Sequence, residues 1–254
     1  MRQTIFRTNV GRHLRMLIVL GASWQAYGQA TPYPTMAPVD QYMMERNAEI
    51  ALAQSAAPDS LSHDADVFVM GAHGYESAVQ GKNGFVCAVL RSWTAGSEDP
   101  DFWNPKLRAP ICFNAAAARS YWPIMVKKTE LILAGQSKEG MFASMQSSFD
   151  KKELPTLEVG AMCYMMSREQ YLGDTAAHWH PHLMFIVPQT SDAAWGAGLT
   201  GSPVVVGQDP ADHLTVFMVP LDKWSDGTAE HADDKAANNS PKKEGRMKRF
   251  WGSF

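Results

Sequence analysis

HLMFIVPQTSDAAWGAGLTGSPVVVGQDPADHLTVFMVP, residues 182–220, holds three short apolar runs: HLMFIVP, VVVG and HLTVFMVP. Gly, Pro, Asp and Ser separate them. Runs of this length, rich in Val, Ile and Phe and bounded by turn formers, read as β-strands. No helical period lies between them, so the stretch is expected to be an antiparallel meander and not a βαβ unit. In such a meander VVVG lies between the other two runs.

Upstream, AMCYMM (161–166) adds another strand. Before it the pattern turns helical. Asn114 is a good N-cap for a helix running from the alanines at 115–118, which Pro123 kinks or splits. Ser137 opens another helix, with Phe142, Met145 and Phe149 at helical spacing. Further back, VFVM (67–70), GYESAVQ (74–80) and GFVCAVLRSW (84–93) read as strands, and Gly81-Lys-Asn-Gly84 joins the last two as a hairpin turn. Asp40 caps a helix through about Ser55, with Met43, Met44, Ile50 and Leu52 on its apolar side. Strands, then helices, then strands define an α+β fold: an antiparallel sheet packed with a few helices.

The first thirty residues have the pattern of a secretory signal. Arg2, Arg7, Arg12 and Arg15 precede an apolar run from Met16 to Trp24, and small residues at Gly28 and Ala30 suit cleavage before Thr31. The run is far shorter than the roughly 20 residues needed to span a bilayer, and no later stretch is long enough either. The expected organisation is a signal peptide (1–30), a Pro-rich lead (31–39), one domain (40–228) and a flexible charged tail (229–254). The exported product is periplasmic or secreted. Removing residues 1–30 leaves 19 basic against 26 acidic residues, a net charge of −7. Such a surface repels phosphate backbones and makes nucleic acid an unfavourable partner. The tail ends in basic residues with Phe250, Trp251 and Phe254, which suits weak contact with anionic lipid.

Cys87, Cys112 and Cys163 each sit in an apolar run. In an oxidising compartment three cysteines give one disulfide and one spare thiol; spacing does not say which.

NGFVC (83–87), APICFNAAAARS (109–120), GAMCYMMS (160–167), HWHPHLMFIVP (178–188) and WSDGT (224–228) are similar to segments of a family of exported bacterial proteins with no assigned activity. The resemblance covers roughly residues 45–228. It implies export and a single domain, and it carries over no catalytic residue.

His178, His180 and His182 alternate along one segment, so an extended chain would point all three the same way, about 6 to 7 Å apart. In the meander expected above, His213 starts the third strand at the same end as His182. That would gather four imidazoles within reach of Asp174 or Asp212. Neutral imidazoles with one carboxylate suit zinc or copper. Tyr164, Trp179 and Trp195 are candidate neighbours for a small ligand.

Two function classes follow. The first is a non-catalytic binding protein whose site is this histidine rim, with a metal ion or small ligand as its partner. The alternative is an exported hydrolase, either using Cys87 as nucleophile with His180 as base or using a metal-bound water. Gly196-Ala-Gly198-Leu-Thr-Gly201 matches a dinucleotide fingerprint in letters only: no strand precedes it and no helix follows.

Overall fold

The computed structural model describes residues 32–174, 177 and 179–230. The expected signal peptide, most of the expected tail and His178 lie outside the described residues.

The described residues form a mixed, mostly antiparallel eight-stranded sheet with five α-helices, an α+β fold. The strands are β1 (Asp66–Met70), β2 (Tyr75–Val79), β3 (Val86–Leu90), β4 (Ala109–Phe113), β5 (Met162–Met165), β6 (His182–Pro188), β7 (Val205–Asp209) and β8 (Leu214–Pro220). Their order across the sheet is β2-β1-β3-β4-β5-β6-β8-β7.

Two pairings differ from those expected. β2 and β3 form no hairpin, because β1 lies between them, antiparallel to β2 and parallel to β3. The Gly81–Gly84 turn is spent elsewhere: Gly81 N donates to Asp66 Oδ1, and Lys82 N to Asp64 O. The C-terminal run is not the expected meander either. β8 lies between β6 and β7, antiparallel to both, so β7 is the edge.

β4 was not expected from the sequence, because its short apolar run contains Pro110. Pro cannot donate to a ladder. β5 pairs with β4 only at Cys112 and Phe113, so Pro110 has β3 on one side and no β5 partner on the other.

The helices are α1 (Arg46–Gln54), α2 (Asp59–Ser62), α3 (Ala115–Ser120), α4 (Trp122–Leu133) and α5 (Lys138–Asp150). The helix expected from Asp40 divides into a 3-10 turn at Val39–Tyr42 and α1, whose N-cap is Glu45; its carboxylate accepts from Asn47 N and Ala48 N. Asn114 and Ser137 cap α3 and α5 as expected, each side chain accepting from the amide three residues on. Pro123 stands in the first turn of α4, where its missing N–H costs nothing, and the helical segment splits there.

β3 and β4 are buried at every residue, so they are central strands with both faces covered. α1 covers one face, where Leu52 and Ala53 meet Val67, Cys87, Val89 and Cys112. On the other face, α4 turns a stripe of Trp122, Ile124, Met125, Thr129 and Ile132 onto Ala88, Ile111, Phe113 and Met184. Each large aliphatic side chain buried there stabilises by about 1.5–3 kcal/mol. Lys128 falls on the same buried stripe and is paired with Asp212, Nζ to Oδ2 2.6 Å.

Candidate functional site

On the α4 face a cavity of about 120 Å³ is lined from six strands, β3 to β7 in sheet order, and from α4. Leu90, Ile111, Met125, Met165, Met184 and Val216 make its wall largely apolar. The polar lining comes from Arg91, Thr94, Asp99, Tyr121, His182 and Asp209.

His182 is the polar group without a full set of partners. Strand alternation places it on the same face as Met184 and Ile186, opposite Pro220 on β8 and Met165 on β5. Its side chain is fully buried. Nδ1 lies 2.7 Å from the backbone oxygen of His180. A carbonyl can only accept, so Nδ1 carries the proton and Nε2 presents a lone pair. Among the described residues Nε2 has no hydrogen-bond partner. Burial depresses the imidazole to about 4, so the ring is neutral at ordinary pH. Trp179 packs against it edge-on, ring centres 4.5 Å apart.

The other polar lining groups are largely committed. Arg91 is fully buried and gives Nη2 to Glu49 Oε1 at 2.8 Å and Nε to Tyr42 O at 2.8 Å. Thr94 donates to Arg91 O. Tyr121 stays protonated, its hydroxyl held well above the ordinary range by burial and by the Asp212 and Asp209 carboxylates. Burial also raises the Asp99 carboxyl.

The expected site residues are dispersed. His213 does not join His182: β6 and β8 run antiparallel, Pro188 opposes Leu214, and the two histidines sit at opposite ends of the ladder. Six residues of strand separate those ends, about 20 Å. His213 instead contacts Gln146 Oε1 at 3.2 Å and the edge of Phe149. Asp212, at that same far end, is occupied by Lys128. His180 pairs through Nδ1 with Glu230, and Asp174 accepts from Tyr33 and Tyr171. Among the described residues no three His, Cys, Asp or Glu side chains are grouped to hold a metal ion.

Cys87 carries no free thiol, being bridged to Cys112 directly across the β3–β4 ladder, Cα to Cα 4.1 Å. That removes it as the nucleophile of a Cys–His pair. Cys163 is the free cysteine, buried beneath the α4 face, and burial raises its thiol far above the ordinary range. Of the three aromatic candidates, Trp179 alone meets His182. Tyr164 packs near Phe85 on the α1 face, and Trp195 stacks on Phe217, 4.5 Å between ring centres.

Sequence reasoning missed Arg91, Tyr121 and Asp209. A signal existed for Arg91, a charge ending the apolar run VCAVL, and for Lys128 on the apolar stripe of α4. Comparison with family models, with curated proteins and with solved structures finds no match for this chain.

Proposed function

We propose that this is an exported, non-catalytic binding protein that takes a small organic molecule into the cavity beside His182. One observation carries the reading: a fully buried, neutral imidazole whose Nε2 has no partner among the described residues, in the lining of a largely apolar cavity. Leaving a buried acceptor unsatisfied costs about 1–3 kcal/mol, and a ligand that donates to it recovers that cost.

Export is supported by the basic-then-apolar pattern of residues 1–30 and by the Cys87–Cys112 bridge, which fits an oxidising compartment. The proposal moves the site from a histidine rim to the cavity on the α4 face and keeps only His182 of the four expected imidazoles. Zinc or copper is not part of it, since His182 has no second and third ligand grouped with it among the described residues. The hydrolase alternative loses its thiol to the disulfide.

The test compares protein purified under native conditions with the Ala109→Leu variant. Ala109 lines the cavity, so the added methylenes fill it at a cost of about 1–3 kcal/mol. Denaturing extracts of the two are compared by mass spectrometry. A small molecule near one per chain in the wild type and depleted in the variant is the expected result. Identical extracts, both empty, would sink the proposal.

A further inference from the structure

We infer that the occupant is an uncharged hydrogen-bond donor on a small apolar body, an alcohol of about five or six heavy atoms, bound with its hydroxyl to His182 Nε2. The inference rests on the binding-protein reading above and adds the chemical class of the ligand.

Polarity comes from the tautomer. His182 Nδ1 is held as donor by the His180 carbonyl at 2.7 Å, so Nε2 can only accept. A ligand that itself only accepts, such as an ether or a ketone, would set two lone pairs against each other. A ligand with a hydroxyl satisfies the imidazole and leaves its own body against Met165 and Met184, the nearest apolar lining on β5 and β6.

Charge comes from what the cavity has already spent. An anion would need a free cation, but the Arg91 guanidinium is committed to Glu49 and to two backbone carbonyls. The Asp99 and Asp209 carboxylates line the same space and repel a further negative charge. An ammonium would have to leave water for this apolar wall, and Asp209 is already opposed by the Lys128 cation nearby. A neutral ligand avoids both costs.

Size comes from the volume. An apolar protein cavity of roughly 150 Å³ accepts benzene, which has six heavy atoms. At about 120 Å³ the present cavity suits slightly less.

A pair of isomers isolates the donor. 1-Pentanol and butyl methyl ether contain the same atoms, and only the alcohol can donate. Each is titrated into the full-length protein and followed by amide chemical shifts, with pentane, pentanoate and pentylammonium run alongside. The alcohol is expected to bind about tenfold tighter than the ether, and pentanoate not at all. His182→Leu should remove the alcohol's advantage while pentane still binds. Equal affinity for alcohol and ether would overturn the donor assignment and leave the cavity reading standing. Tighter binding of pentanoate or pentylammonium would overturn the uncharged class. If neither isomer nor pentane perturbs any cavity residue, the binding-protein reading falls with it.

Discussion

Lys128 on α4 and Asp212 in the turn between β7 and β8 form an ion pair in which neither side chain reaches solvent, with Nζ 2.6 Å from Oδ2. The pair pins the helix that roofs the cavity to the hairpin that closes its far side. Buried pairs trade a large desolvation cost against their attraction, so breaking one partner leaves an uncompensated charge. Lys128→Met and Asp212→Leu alone should each cost about 3–5 kcal/mol, and the double variant should return close to wild type or exceed it. Urea unfolding of the three variants provides the double-mutant cycle. Additive losses would show that the two groups do not act as a pair.

The pH dependence of stability contains two opposed contributions. His182 is depressed in the fold from 6.5 to about 4 by burial, so the unfolded chain takes up its proton first as pH falls, and stability is lost between 6.5 and 4. Asp212 is raised from 3.8 to about 6, chiefly by burial and against the pull of Lys128. Its contribution is present below 3.8 and is lost as pH rises through 6. The two contributions run in opposite directions over the shared window, so each masks the other in the wild type. The variants uncover them. Relative to wild type, His182→Leu should gain about 3 kcal/mol on going from pH 6.5 to 4, and the Lys128→Met/Asp212→Leu double variant should lose stability over the same range. Parallel slopes for the two would contradict both assignments.

Trp179 packs edge-on against His182, ring centres 4.5 Å apart. Trp179→Ala should let water to the ring and carry its titration midpoint from about 4 back toward 6.5, because desolvation is the main cause of the shift. The imidazole proton resonances followed against pH report this directly. An unmoved midpoint would mean that the sheet and α4 alone exclude water.

The thiols provide a counting experiment. Native protein should react with no thiol reagent, since Cys163 is buried and the other two are bridged. Denatured protein should show one reactive thiol, and denatured, reduced protein three. The bridge spans a sequence separation of 25, for which loop-closure entropy gives about 3–4 kcal/mol. Cys87→Ala/Cys112→Ala should be less stable by that order. Three reactive thiols in denatured, unreduced protein would exclude the bridge.

Where local chemistry decides an element, the sequence was legible. Asn114 and Ser137 announce their helices through side-chain caps, and Pro123 marks a helix start, all short-range effects. The runs that became β5, β6 and β8 were visible by composition alone. Pairing was not legible. The loop from β6 to β7 is long enough to pass over a neighbouring position, and nothing in VVVG records whether β8 will sit inside or outside it. That one ambiguity sent His213 to the wrong end of the sheet in the sequence reading. Of the candidate site, His182 was found through its alternation with His178 and His180 along one segment. Its hydrogen bonds and its cavity could not be found, since Arg91, Tyr121 and Asp209 converge only through tertiary packing.

The Cys87–Cys112 bridge closes a ring of chain at its base, and Thr94, Ala95, Asp99 and Leu107, which finish one side of the cavity, all lie within that ring. A protease that nicks the ring therefore opens a covalent circle without freeing a fragment. The cut protein keeps both ends of the broken segment tethered to β3 and β4. It runs as one species until it is reduced, and it retains the residues that line the cavity.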